Sequence, residues 1–273
     1  MPLKIYQKEG AGVGYWTEFW KKRMKLFEEE QQYMEFNFLT KIFHKYLMPG
    51  ARILEGGCGL GRWVFYLRRK GYDIIGIEWS KEVVKQVRAL NSDVPIIVGD
   101  IFFISFPDGF FHAYISLGVI EHHKNYLKAL REAHRVLCKN GILFCSVPYF
   151  NIIRRIKNVF GAYKQKEGEK FYEYRFKISE IREAIERSGF TIVEAIPFSV
   201  PYGLSVEIPC IRQFYKFFSK YKKEWYYAYC NNEVNSKYRN KISKFIIKTI
   251  KRIMESKFLA ILFGHMVIII AKK

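Results

Sequence analysis

The chain has 273 residues, 49% of them hydrophobic, and a formal net charge of +20. That length and apolar content can bury a substantial core, so disorder is not the default reading, and one large domain or a core with a smaller insertion is expected. The five cysteines, Cys58, Cys138, Cys145, Cys210 and Cys230, form no C-x-x-C pair and no His/Cys spacing that holds zinc, a pattern that fits a reducing compartment.

In chain order, residues 1–10 are polar and lack the apolar run and small-residue cleavage site of a secretory signal, so a cytoplasmic location is expected. Residues 15–47 mix aromatic and charged side chains without Pro or Gly and predict one or two amphipathic helices, stopped by Pro49 and Gly50. Strand and helix then alternate: strand over 51–55, helix over 61–70, strand over 72–78, helix over 81–90, strand over 95–98. The pattern continues with a strand over 113–117, a helix over 126–137 stopped by Asn140-Gly141, and a strand over 142–147. Such alternation implies a parallel sheet with crossover helices, and the meeting of two βαβ halves implies a switch-point crevice. A basic, aromatic stretch follows Pro148; then come a helix over 179–188 with Gly189 as its stop and a strand over 191–196. A second interruption runs from about 197 to 264, and the β-branched run over 265–271 closes the chain as a buried strand.

The strand ends carry the chemistry. Residues 53–61 read ILEGGCGLG, an apolar strand ending in an acid and then a turn whose glycines let backbone approach a ligand. Gly57, Gly59 and Gly61 follow a G-x-G-x-G spacing; the dinucleotide fingerprint G-x-G-x-x-G needs Gly where Arg62 stands, which counts against a dehydrogenase. Glu55 would repel a pyrophosphate but can accept hydrogen bonds from an ammonium group. The second strand ends on Glu78, roughly twenty residues beyond the turn, where a carboxylate can accept from both hydroxyls of a ribose. The third ends IIVGDI, placing Asp100 where it can accept from an adenine amino group and Ile101 against the base.

With these motifs and SLGVIEH at 116–122, the chain resembles the class I S-adenosylmethionine-dependent methyltransferases, particularly their small-molecule branch, over about 51–148. The resemblance extends less specifically to 171–195 and the last strand. It implies an α/β fold with a Rossmann-like, doubly wound seven-stranded sheet, one strand antiparallel, capped by N-terminal helices and two insertions. The organisation expected is a helical cap over 1–50, a cofactor-binding core over 51–148, a lid insertion over 149–177, a core helix and strand over 178–198, a basic aromatic insertion over 199–264 and a final core strand over 265–273.

The cofactor implied is S-adenosyl-L-methionine, and the activity implied is methyl transfer to an O or N atom of a small-molecule or lipid-linked acceptor. The resemblance places Tyr15, Trp16, Glu55, Gly57, Cys58, Gly59, Gly61, Glu78, Trp79, Asp100, Ile101, Leu117, Gly118 and Val119 at the cofactor, with Glu121 and His122 close to the reaction centre. Tyr149, Tyr172 and Tyr174 are expected to face the acceptor. Some quinone-biosynthetic relatives bind a metal with an acid four residues before the motif's Glu; Leu117 stands there, so no metal is expected. His112 replaces an acid that many relatives carry, which puts that acid's support for the neighbouring turn in doubt.

Methyl transfer needs the acceptor lone pair in line with the sulfonium methyl, so positioning and desolvation can supply most of the rate. A base is needed only for a protonated acceptor, and His122 or His123 is suited to it because imidazole titrates near pH ~6.5. Adjacent histidines at a helix start also read as capping or surface residues.

The basic excess lies mostly in the second half: 21 Lys/Arg against 15 Asp/Glu over 1–148, but 25 against 11 over 149–273. Over 211–257, 13 Lys/Arg face 3 acids and are interleaved with aromatics such as Phe217, Trp225 and Tyr226, which suits an anionic membrane surface or RNA. Residues 241–257 place Ile242, Phe245, Ile246, Ile250 and Ile253 on one helical face, as expected of a helix packed on a core or lying on a membrane. The stretch 258–271 is shorter than the ~20 apolar residues that span a bilayer, so peripheral attachment is expected rather than a span. Base-amine methylation is disfavoured because SLGV replaces the Asp/Asn-Pro-Pro-aromatic turn, and Pro209-Cys210 lies far from where a cytosine C5 nucleophile is expected. The alternatives carried are an RNA or protein methyltransferase, and a noncatalytic cofactor-binding protein docking on membrane or RNA.

Overall fold

A computed structural model describes residues 1–27, 31, 34–208 and 256–273. The chain divides into two compact units: Met1–Pro148 with Tyr163–Ile196 and Ile268–Lys273, and Tyr149–Ala162 with Pro197–Val267.

The first unit opens with β1 (Leu3–Gln7), α1 (Val13–Arg23) and α2 (Phe38–Tyr46). The amphipathic pattern expected over 15–47 has its physical reason in α2, which buries Leu39, Ile42 and Phe43; Phe43 packs edge-on to Trp63 and Phe144 with centroids 4.8 and 5.0 Å away. Then follow β2 (Arg52–Gly56), α3 (Arg62–Arg69), β3 (Asp73–Glu78), α4 (Lys81–Leu90), β4 (Ile96–Val98), β5 (Phe111–Leu117), α5 (Tyr126–Val136) and β6 (Leu137–Pro148). After α6 (Ile152–Val159) come β7 (Lys170–Arg175), α7 (Ile178–Glu186), β8 (Thr191–Phe198), α8 (Val200–Glu207), α9 (Lys257–Phe263) and β9 (Met266–Lys272).

Seven strands form one sheet in the order β4-β3-β2-β5-β6-β9-β8. The pairs β3/β4, β2/β3, β2/β5 and β5/β6 are parallel. The last strand runs against them: Lys273, just past its end, donates to the Gly141 carbonyl and accepts from the Asn140 N–H near the start of β6. This is the doubly wound sheet with one antiparallel strand that the sequence predicts. The central strands are buried on both faces, which is why they read as continuous apolar runs.

Two local expectations are corrected. The helix expected to run to 137 ends at Val136, and β6 starts directly at Leu137. Phe111 pairs with Leu137 but Ala113 with Ile142, so residues 138–141 loop out of the ladder, with Asn140 at φ 64°. The other correction is a second, two-stranded antiparallel sheet of β1 and β7, with Leu3 opposite Arg175 and Lys4 opposite Tyr174. Neither strand was expected, because each is short and its partner lies some 170 residues away along the chain.

In the second unit, α6, α8 and α9 surround a small core of Val200, Leu204 and Ala260, against which Ile208, Leu259 and Phe263 pack. The expected amphipathic helix over 241–257, Pro209-Cys210 and nearly all of the basic aromatic stretch over 211–257 lie outside the described residues. Among the described residues no helix is long and apolar enough to cross a membrane.

Candidate active site

The sheet order reverses between β2 and β5, and a doubly wound sheet opens its crevice at the carboxyl ends of the strands there. The turn after β2 forms the floor. Gly57, Gly59 and Gly61 have φ of 69°, 54° and 73°, a region that side chains avoid. All three also admit close neighbours: a Cβ on Gly57 would lie 2.7 Å from Val119, one on Gly59 2.5 Å from the Trp20 ring, and one on Gly61 would run into the Ile96 side chain. The N–H groups of Gly57 and Cys58 both donate to the Ile77 carbonyl, at 2.9 and 3.0 Å. Burial pushes the Cys58 thiol well up, so this cysteine packs rather than reacts.

Glu78, at the end of β3, holds the turn from the other side. One carboxylate oxygen accepts from the Gly59 N–H at 3.0 Å and the other from the Ser80 N–H at 3.1 Å. Burial raises its pKa, and these backbone bonds oppose the rise. Asp100 accepts from the Phe102 N–H at 2.8 Å, which bends the chain and turns Ile101 inward.

Glu55, buried beneath the turn, has an Oε2 with no hydrogen-bond partner among the described residues. Burial pushes its pKa up to about 8, with the Arg62 charge opposing. A buried carboxylate oxygen left unpaired is a sign of a missing donor.

Beyond β5, Gly118 at φ 72° leads into a 3₁₀ turn over Ile120–His122. His122 Nδ1 is 2.9 Å from the Tyr172 carbonyl oxygen, which can only accept; Nδ1 therefore carries the proton and Nε2 keeps its lone pair. Burial lowers the His122 pKa, with the Tyr172 bond opposing. Nε2 lies 3.9 Å from Glu121 Oε1, and Glu121 is buried, its pKa pushed well up by desolvation and its Oε2 without a partner among the described residues. His123 points elsewhere, between the rings of Trp79 and Phe102 at 5.6 and 5.0 Å; burial and the neighbouring His122 depress its pKa to about 4.

Helix α1 covers the crevice. Thr17 Oγ1 lies 2.7 Å from Ser80 Oγ, and the rings of Tyr15, Trp16, His122 and Tyr172 close a circuit with successive centroid distances of 5.1, 4.7, 5.1 and 5.6 Å. Strand β7, paired to β1, carries Tyr172 to this place, and its hydroxyl is 3.3 Å from that of Tyr15.

Of the residues named from sequence, Trp16, Gly57, Glu78, Trp79, Asp100, Ile101, Val119, His122 and His123 line one cavity. Tyr15, Glu55, Cys58, Gly59, Gly61, Leu117 and Gly118 are not among the residues that line it. Tyr174 packs instead on Tyr126 and Phe176, at 5.5 and 6.0 Å, and Tyr149 belongs to the second unit, buried, its N–H donating to the His265 carbonyl. His112 Nδ1 accepts from the Arg52 N–H at 2.9 Å and so ties β5 to the start of β2. Trp20, one of the aromatic residues with which the N-terminal helix is expected to fold over the cofactor, lines the cavity as well. Thr17, Ser80, Gly99 and Phe102 were missed.

Residues 54–145 match the family model described as a methyltransferase domain. Over those residues the chain carries a class I S-adenosylmethionine-dependent methyltransferase domain. Among the relatives of this chain, the bovine eEF1A lysine and N-terminal methyltransferase is 30% identical over 142 residues, 49% of this chain and 20% of that one. The chain thus spans about a fifth of the length of that relative. An uncharacterized protein of Methanocaldococcus jannaschii is 25% identical over 213 residues, 69% of this chain and 80% of that one. A solved S-adenosylmethionine-dependent methyltransferase of Archaeoglobus fulgidus shares the fold, with a TM-score of 0.54 at 16% identity over 93% of this chain and 99% of that one.

The residues present fit the methyltransferase cofactor, S-adenosylmethionine. Glu78 suits its ribose, Asp100 and Ile101 its adenine, and the unpaired oxygen of Glu55 its ammonium. Trp16 and Trp20, both on α1, form part of the cavity wall. Trp20→Ala is expected to speed association about tenfold in stopped-flow fluorescence; an unchanged rate would mean that α1 is not the barrier.

Glu55 should show opposed effects on stability and binding. Its native pKa of about 8 lies above the ordinary 4.5, so between those values the unfolded chain releases a proton that the native chain keeps, and stability falls as pH rises. Glu55→Gln removes that slope: it is expected to stabilise the methyltransferase by about 1–3 kcal/mol at pH ~8, with the gain fading toward pH ~4.5, while weakening cofactor binding about tenfold. Urea unfolding at the two pH values, beside calorimetric titration, checks both signs.

Proposed function

We propose that the protein methylates a hydroxyl or amine of a small-molecule or lipid-linked acceptor, with His122 taking the acceptor's proton. The observation that carries this reading is the bond between His122 Nδ1 and the Tyr172 carbonyl. It leaves Nε2 as the lone-pair nitrogen of a buried, neutral imidazole on the cavity wall. Bound S-adenosylmethionine supplies an electrophilic methyl on a sulfonium. The protein's own part is then positioning, exclusion of water and removal of one proton. The rings of Tyr15, Trp16 and Tyr172 exclude water around His122, and the Glu121 carboxyl at 3.9 Å is the group beside which a protonated His122 would sit.

A protein amine is the second reading. It is favoured by the similarity of about half of this chain to an eEF1A lysine and N-terminal methyltransferase.

Calorimetry with S-adenosylmethionine and S-adenosylhomocysteine tests the cofactor step. Labelled-methyl transfer to small amines and alcohols, to lipid extracts and to basic proteins tests the acceptor. Transfer only to protein would replace the first reading with the second. Tight cofactor binding without transfer to any of them would favour a noncatalytic binding protein, and a folded chain that binds neither ligand would overturn the proposal.

A further inference from the structure

The second unit buries an ion pair while several of its large apolar side chains stand exposed. Arg154 on α6 is fully buried, and its guanidinium donates to Glu207 Oε1 at 2.7 Å and to the carbonyls of Tyr149 and His265 at 2.7 and 3.2 Å. Its other terminal nitrogen lies 2.6 Å from His265 Nδ1, which has to accept, since a guanidinium only donates. Lys157 adds a bond of 2.7 Å to Glu207 Oε2. Burial resists ionisation of Glu207, but the bonds from Lys157 and Arg154 outweigh it and hold the carboxyl below its ordinary range.

The opposite arc of the same helix is apolar. Ile156, Val159 and Phe160 stand at i, i+3 and i+4 and share one face, with Val159 83% and Phe160 84% exposed. On α9, which packs against α6, Phe258 and Ile261 are exposed at the same kind of spacing. A helix facing water puts such residues inward and its ions outward. Exposed apolar side chains on two adjoining helices, with Arg154 turned inward on one of them, call for apolar surroundings on the outside.

We propose that this face of α6 and α9 docks on an anionic lipid bilayer, with Val159, Phe160 and Phe258 entering the acyl boundary while basic side chains meet the headgroups. Charge selects such a bilayer over a neutral apolar partner. Among the described residues of the unit, the ionic side chains reaching solvent are Arg155, Lys157 and Lys257, and the one acid, Glu207, is buried. The sequence of the unit, 149–162 and 197–267, holds 16 Lys/Arg against 4 Asp/Glu. RNA would also answer the charge, but Ile156, Val159 and Ile261 offer bases no stacking plane, whereas apolar side chains flanked by cations suit a lipid interface. This docking surface stands whether or not the methyl acceptor is itself a lipid.

Flotation of the full chain with phosphatidylcholine vesicles, with and without phosphatidylserine, tests the proposal. Binding is expected only with phosphatidylserine, weaker at high salt. The double variant Val159→Asp/Phe160→Asp should lose at least about tenfold in vesicle affinity, and Phe258→Asp should lose in the same direction. Both should keep wild-type affinity for S-adenosylmethionine, which separates loss of docking from loss of fold or of the cofactor site. The proposal fails if the wild type ignores phosphatidylserine vesicles or if these variants float as well as the wild type. It also fails if the chain prefers a polyuridine RNA over vesicles and the aspartates leave that affinity unchanged.

Discussion

Replacing Glu78 by Ala is expected to weaken S-adenosylmethionine binding by about 100-fold or more while leaving the chain folded. The carboxylate does two things at once. It accepts from the Gly59 and Ser80 N–H groups, and so fixes the glycine turn, and it lines the cavity. Truncation leaves two buried donors without their acceptor, at about 1–3 kcal/mol for an unsatisfied buried group. It also removes the charge-assisted bonds to a pair of hydroxyls, each worth about 1.5–3 kcal/mol. The part of this cost that falls on the bound state alone, about 3 kcal/mol, corresponds to the stated factor. Glu78→Gln keeps one carbonyl oxygen and should lose only about tenfold. Calorimetry on both variants, with circular dichroism beside it, separates the outcomes; wild-type affinity in a folded Glu78→Ala would remove Glu78 from the cofactor site.

The core of this site was legible because its chemistry sits at strand ends fixed by local rules. Short strands rich in apolar residues mark β2, β3 and β5, and Glu55, next to the end of β2, with Glu78 and Leu117, which end β3 and β5, falls where a parallel sheet aims its ligands. Tyr172 was singled out as a lid aromatic, but its use could not be read. It reaches His122 through a backbone carbonyl, on a strand held by pairing with β1 at the far end of the sequence. Side-chain identity carries no information about either. The same holds for Tyr174 and Tyr149. They share the aromatic character of Tyr172, yet one, on β7, packs against Tyr126 and the other lies in the second unit. The inverted α6 was hidden for the opposite reason, since periodicity reports an amphipathic helix without saying which face is buried. That is decided by Glu207 and His265, distant in sequence, which gather Arg154 inward.

Two adjacent histidines are also told apart only by their partners. His122 holds its Nδ1 proton against the Tyr172 carbonyl, whereas His123 is wedged between Trp79 and Phe102 beside Asp100, on the side suited to the adenine. For an acceptor that must lose a proton, His122→Ala is therefore expected to lower kcat by about 10²–10⁴-fold with cofactor affinity nearly unchanged. His123→Ala should act mainly on cofactor affinity. The pH profile gives an independent sign. Burial lowers the His122 pKa from its ordinary 6.5, so the free base prevails at neutral pH and kcat/KM should be flat from about pH 7 upward. Its acid limb should lie below pH ~6.5 and be absent in His122→Ala. The same shift makes the native chain reluctant to take up a proton that the unfolded chain accepts, so the stability contributed by a neutral His122 is present at neutral pH and lost as pH falls below ~6.5. An acid limb that persists in His122→Ala and vanishes in His123→Ala would exchange the two roles, and an acceptor that reacts at full rate in both variants would have to arrive already deprotonated.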